Sequence, residues 1–153
     1  MSSTKSTILL LGGTGKVSSR IAPLLSSAGY TTLLASRSGT SPTLPHVSGV
    51  KFDWDDPSTY TNPFSTAISA VFLISPATMD MLRPMKAFID LARARGVKRM
   101  VLLGASLLEV GDGPAMAGVG KYLREIGVEW AVLRPTWFMG TSLPFMRLSL
   151  IHI

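Results

Sequence analysis

The chain has 153 residues, 46% apolar and 16% charged, with a mean hydropathy of +0.34. That length builds one domain around one substantial core, and the composition excludes a disordered or collagen-like chain. Fifteen basic residues against nine acidic ones give a formal charge of +6, yet the distribution argues against nucleic acid. The densest cluster, Arg93, Arg95, Lys98 and Arg99, falls at the end of an expected helix, where cations complement the macrodipole, and no interleaved aromatics offer bases a stacking platform. No run approaches the roughly 18 apolar residues that span a bilayer, and the short apolar run after Met1–Thr7 is too brief for a signal peptide. With no cysteine there is no disulfide framework, zinc–thiolate site or thiol nucleophile. The expectation is a cytoplasmic protein with neither membrane nor nucleic-acid partners.

Short apolar runs alternate with helical stretches, the pattern of βαβ units on a parallel sheet. Thr7–Leu11 reads as the first strand, closed by Gly12-Gly13. From Gly15 to Ala28, Val17, Ile21, Leu24 and Leu25 recur at helical spacing as one apolar face, and Gly29 is a natural stop. Tyr30–Ala35 is the second strand, Val50–Asp53 a short third, and Asp55–Thr66, with its prolines, holds a helical turn or two. Ala70–Ile74 suits a strand buried on both faces. Asp80–Arg95 is a helix with Leu82, Met85, Phe88, Ile89 and Ala92 turned inward and Pro84 in its first turn. Arg99–Leu103, Ala115–Ile126 and Val128–Leu133 read as strand, helix and strand. The fold class is α/β: a Rossmann-like, three-layer, doubly wound parallel sheet of six strands, in the order 3-2-1-4-5-6.

The turn Leu11-Gly12-Gly13-Thr14-Gly15-Lys16-Val17-Ser18 lies where such a fold seats a pyrophosphate. Glycine lets the chain turn sharply and lets backbone approach phosphate without an intervening Cβ. The N–H groups of Thr14, Gly15, Lys16 and Val17 are expected to face the anion at a helix start. The third glycine of the fingerprint is Ser18, small enough for close packing of helix on strand. About twenty residues on, an NAD-binding chain offers a carboxylate to the ribose. Here the stretch is Ala35-Ser36-Arg37-Ser38, a guanidinium among hydroxyls, which suits a 2′-phosphate. NADP(H) is therefore preferred over NAD(H). Asp53, followed by Trp54, either reaches the adenine edge or caps the helical turn after it. Ser75, before Pro76, is either a cofactor contact or a turn residue. Ser106, after the fifth strand, is the candidate for contacting a substrate carbonyl.

Other chemistries lack their residues. Tyr30, Tyr60 and Tyr122 are followed four residues later by Leu34, Phe64 and Ile126, so no Tyr-x-x-x-Lys acid is present. His46 and His152 stand apart from any carboxylate at ligand spacing, so no metal site is expected. A Gly-x-Ser-x-Gly elbow is absent. Met79, Met81 and Met85 fill core gaps or line the mouth of the cleft.

Leu10–Lys16, Leu34–Arg37, Phe52-Asp53-Trp54, Ala92–Val97 and Leu133–Met139 together resemble the NmrA-like atypical short-chain reductases, in particular their fungal ergot-alkaloid branch of festuclavine and agroclavine dehydrogenases. The resemblance implies NADPH-dependent reduction of an iminium carbon, formed in that branch from chanoclavine-I aldehyde. A cationic iminium needs no proton donated to oxygen, in keeping with the missing tyrosine acid. It also implies that Gly12, Thr14, Gly15, Lys16, Arg37 and Asp53 hold the cofactor, with Pro135 and Thr136 near the nicotinamide. The NmrA type itself implies an alternative, a non-catalytic dinucleotide sensor. Members of the family continue with a C-terminal substrate-binding part. Here residues 1–139 are expected to form the nucleotide domain and 140–153 an atypical apolar tail from a truncated or mis-spliced reading, which leaves an inactive relict as a third alternative.

Overall fold

The computed structural model describes residues 6–105 and 115–135. Among these are strands β1 (Thr7–Leu11), β2 (Thr32–Ser36), β3 (Val47–Lys51), β4 (Ile68–Leu73), β5 (Arg99–Leu103) and β6 (Glu129–Leu133). Three α-helices, α1 (Ser18–Ser27), α2 (Leu82–Ala94) and α3 (Met116–Glu125), and a 3₁₀ segment at Pro57–Ser65 connect them. Every strand pairing is parallel and the order is β3-β2-β1-β4-β5-β6, as the sequence pattern requires. The chain winds outward from β1 to β3, then returns to β4 on the other side of β1, which makes the crevice between β1 and β4 the topological switch point. Among the described residues no helix is long and apolar enough to cross a membrane.

Both sheet faces are covered over β1, β2 and β4, which is why these strands read as continuous apolar runs rather than alternations. Leu9, Leu11, Val71, Leu73, Met100 and Leu102 face the layer of α2 and α3, against Met85, Phe88, Ile89, Val119 and Leu123. Leu10, Leu34 and Phe72, one residue out of phase, face α1 at Ala22. Phe88 is fully buried, with the rings of Phe52, Trp54, Tyr60 and Phe64 at centroid distances of 5.2 to 5.9 Å. A side chain of this kind contributes about 1.5–3 kcal/mol by burial.

Several boundaries differ from the sequence reading. β3 runs over Val47–Lys51 rather than Val50–Asp53, because Ser48 and Gly49 break the apolar pattern. Gly49 is needed there, since a Cβ would meet the Gly39 carbonyl oxygen at 2.2 Å. α1 begins at Ser18 rather than Gly15, and Leu24 is 71% exposed, so the apolar face is carried by Val17, Ile21 and Leu25 around the buried Ala22. Leu82 is likewise exposed, and Met79, unlike the buried Met85, stands in solvent.

Thr32 is fully buried in β2, and its hydroxyl has no hydrogen-bond partner among the described residues. Such a group costs about 1–3 kcal/mol. Thr32→Val keeps the shape and removes the hydroxyl, and should stabilise the chain by about 1 kcal/mol, read as a higher urea midpoint at unchanged m. An unchanged midpoint would mean that the hydroxyl is satisfied.

On the outer surface α2 and α3 are joined by polar groups. Lys86 Nζ donates to Asp90 Oδ2 at 2.7 Å and to the Tyr122 hydroxyl at 3.1 Å, and the Tyr122 hydroxyl donates to Asp90 Oδ1. Partial desolvation pushes the Asp90 pKa up, but the hydrogen bonds from Lys86 and Tyr122 together hold it below its ordinary 3.8. A carboxyl depressed on folding stabilises the fold above its unfolded pKa and loses that contribution as pH falls through the folded one. Asp90→Asn should therefore flatten the acid limb of the stability profile below pH 3.8, measured by thermal melts across a pH series. An acid limb as steep as in the parent chain would assign that loss to other carboxylates.

Candidate functional site

At the end of β1 the chain reverses at Gly12, whose φ of +62° is left-handed and disfavours a side chain. The Gly13 N–H then donates to the Ala35 carbonyl at 2.8 Å, drawing the turn onto β2. A Cβ on Gly13 would lie 2.8 Å from the Leu34 Cβ, and one on Gly15 would lie 2.9 Å from the Gly12 carbonyl oxygen. Ser18, in the third glycine's place, is fully buried and donates its hydroxyl to the Leu11 carbonyl at 2.6 Å. This bond pins the helix to the strand, a role beyond the small size read from the sequence. One expectation needs correction: the Gly15 N–H does not face an anion, because it donates to the Gly12 carbonyl at 2.7 Å. α1 has neither a side-chain cap nor an acidic residue in its first turn, which leaves its amino end suited to a phosphate.

A cavity of about 350 Å³ opens beside this turn, at the carboxyl ends of β2, β3 and β4. Gly12, Thr14 and Gly15 border one side of it, and Ser36 and Arg37 border it at the end of β2. Asp53 and Trp54 border it beyond β3, and Ser75 and Pro76 beyond β4. Gly13, Lys16, Val17 and Pro135, the other expected site residues that the structure describes, do not line it. Gly13 is buried against β2, Lys16 is exposed, Val17 packs between α1 and the sheet, and Pro135 follows β6 half-buried. Ser106, Thr136 and the 140–153 tail lie outside the described residues.

Local hydrogen bonds set these groups. The Ser36 hydroxyl accepts from the Gly39 N–H at 3.1 Å and lies 3.3 Å from the Ser38 hydroxyl, itself 2.8 Å from that of Thr40. These hydroxyls order the turn that carries the exposed Arg37. Asp53 Oδ1 accepts from the Asp55 N–H at 3.1 Å, while the cap of the 3₁₀ segment is Asp56, which accepts from the Ser58 N–H at 3.1 Å. Capping therefore falls to Asp56, and Asp53 remains at the rim. Trp54 donates its indole N–H to the Ile74 carbonyl at 3.1 Å, and the Tyr60 hydroxyl donates to the Trp54 carbonyl at 2.8 Å. Burial raises the Tyr60 pKa, with the nearby charges of Asp55 and Asp53 adding to it, so the phenol stays a neutral donor. Sequence reasoning missed both bonds; the only hint is the spacing of aromatic residues at 52, 54 and 60.

A larger cavity, about 670 Å³, opens at the opposite edge among Thr7, Ile68, Lys98, Arg99 and Glu129. Arg99 is paired with Glu129 at 2.6 Å, and α2 presents its carboxyl end there, at Gly96. That is the wrong polarity for a phosphate, so the smaller cavity at the switch point is the candidate site. Among the described residues no cluster of His, Asp and Glu could hold a metal ion. The glycine cradle, the uncapped α1 and the cation beyond β2 fit a dinucleotide.

Comparison with known proteins agrees with this geometry. The chain is 48% identical over 141 residues to festuclavine synthase I of Penicillium roqueforti, a match covering 87% of this chain and 48% of that protein. It is 45% identical over 139 residues to an agroclavine dehydrogenase of Claviceps fusiformis, covering 87% and 47%. The chain thus spans about half the length of these curated relatives. Among solved structures, Bordetella bronchiseptica WbmH in complex with NAD+ superposes with a TM-score of 0.66 at 17% identity, over 86% of this chain and 56% of that one. An Agrobacterium tumefaciens uronate dehydrogenase complexed with NAD gives 0.64 at 19%, over 86% and 61%. These two likenesses show the fold alone. The NAD(P)H-binding family model matches residues 12–143, and the chain belongs to that family.

Proposed function

We propose that the chain is the nucleotide-binding part of an NADPH-dependent oxidoreductase that reduces the iminium carbon of an alkaloid-type small molecule. Its likeness to festuclavine synthase and agroclavine dehydrogenase carries this reading. Residues 1–139 form the nucleotide domain. Gly12, Thr14 and Gly15 seat the pyrophosphate, with Gly13 and Val17 holding the turn and Lys16 supplying charge beside it. Ser36 and Arg37 take the 2′-phosphate, and Asp53 and Trp54 flank the adenosine. Ser75, Pro76, Pro135 and Thr136 serve the nicotinamide side. The preference for NADPH rests on Arg37 standing where an NAD-binding chain carries a carboxylate. The same reading has the protein in the cytoplasm, which holds a pool of this cofactor.

A bound dinucleotide supplies hydride chemistry. An iminium carbon already carries positive charge, so the protein needs no Tyr-x-x-x-Lys acid, and its residues orient the reactants and exclude water. The test is titration with NADPH and NADH by nicotinamide fluorescence. It is followed by turnover of the iminium formed from chanoclavine-I aldehyde, with deuterium transfer from labelled NADPH. Tight binding with label in the product is expected. Binding without turnover would limit the chain to nucleotide binding, as a dinucleotide sensor or as a nucleotide domain that reduces nothing by itself, and a folded chain that binds neither cofactor would overturn the reading.

A further inference from the structure

We infer that Trp54 is a positioning residue that ties the two sides of the nucleotide cavity together, so that the adenosine side and the side beyond β4 act as one preformed unit. The inference rests on the dinucleotide reading above and deepens it.

β3 and β4 are not neighbours, since β2 and β1 stand between them. Trp54 nevertheless leaves the end of β3 and brings its indole N–H to the carbonyl of Ile74, the first residue after β4, at 3.1 Å. Ile74 in turn rests on the glycine turn, its Cδ1 only 3.1 Å from where a Cβ on Gly12 would stand. One strap therefore links the ends of β3 and β4 to the turn after β1, and all three border the cavity.

The strap is anchored at its origin. The Tyr60 hydroxyl holds the Trp54 carbonyl at 2.8 Å. The Trp54 ring meets Phe52, Tyr60 and Phe88 edge to face at 4.9, 5.6 and 5.7 Å. With the ring fixed by three aromatic neighbours, the direction of its N–H is fixed too. Indole is a donor only, so phenylalanine can keep the packing but cannot make the tie. Arg37 and Asp53 lie on one side of the cavity and Ser75 to Thr78 on the other. A ligand that reaches both sides gains from a spacing set in advance, whereas a ligand on one side does not.

Trp54→Phe, Tyr60→Phe and the parent chain should be titrated calorimetrically with NADPH and with 2′,5′-ADP, which carries only the adenosine and its phosphates. Trp54→Phe should weaken NADPH roughly fivefold, the worth of one hydrogen bond, and change 2′,5′-ADP by less than about twofold. Tyr60→Phe should shift the two probes in the same pattern by a smaller factor, and it carries the test if Trp54→Phe proves unfolded by circular dichroism. Equal weakening of both probes would confine the effect of Trp54 to the adenosine side it flanks and overturn the inference, as would no change in either. A parent chain that binds neither probe would overturn the dinucleotide reading, and the inference with it, before any variant is compared.

Discussion

Gly13→Val should destabilise the chain by about 3 kcal/mol and remove nucleotide binding with it. The cause is the surroundings of Gly13 rather than its own conformation. A Cβ there would stand 2.8 Å from the Leu34 Cβ, 3.1 Å from the Leu34 carbonyl carbon and 3.3 Å from the Ala35 nitrogen. Those atoms belong to β2, which is paired on one side with β1 and on the other with β3, so the obstacle is backbone that cannot step aside. Gly13 must also stay close, because its N–H is bonded to the Ala35 carbonyl. Gly12 differs: its nearest obstacle is the end of the flexible Ile74 side chain, and its constraint is the positive φ. A urea midpoint from circular dichroism and an NADPH titration read the two effects. A variant as stable as the parent would mean that the turn can lift off β2.

Where the information is local or periodic, the sequence is readable. β1 and β5 fall on their expected residues, the sheet order follows from alternating strands and helices, and the buried Met85, Phe88, Ile89 and Ala92 of α2 keep helical spacing. The failures come where a distant contact decides. β3 is obscured because the exposed Ser48 breaks its apolar run and Gly49 answers to the loop packed over it at Gly39 and Thr40. Asp56 rather than Asp53 caps the 3₁₀ segment because the chain first turns on the Asp53 side chain. The Ser18 and Trp54 bonds end on carbonyls 7 and 20 residues away, and no spacing rule reaches those partners. The site shows the same division: the glycine turn and Arg37 are legible as motifs, whereas the bond from Trp54 to Ile74, which ties the ends of β3 and β4 beside that turn, appears only in three dimensions.

Arg37→Ala should weaken NADPH by roughly 10- to 100-fold while leaving NADH within about twofold, since a hydrogen bond to a charged group contributes about 1.5–3 kcal/mol. The discrimination follows from what surrounds the guanidinium. Asp53 and Asp55 border the same cavity, and their negative charge disfavours a 2′-phosphate, so an opposing cation is required to reverse the local sign. Arg37 is exposed at the tip of a turn ordered by the hydroxyls of Ser36, Ser38 and Thr40. Its removal should therefore leave the urea midpoint unchanged, which separates lost recognition from lost fold. The same exposure makes the contact sensitive to screening, so rising salt should narrow the gap between the two cofactors in the parent chain and have little effect in the variant. Arg37→Asp should go further and favour NADH, because a carboxylate there accepts from the ribose hydroxyls and repels the phosphate. An equal loss for both cofactors would place Arg37 on a group they share. Unchanged binding of both would leave the adenosine side without its proposed cation and the proposed preference for NADPH without a cause.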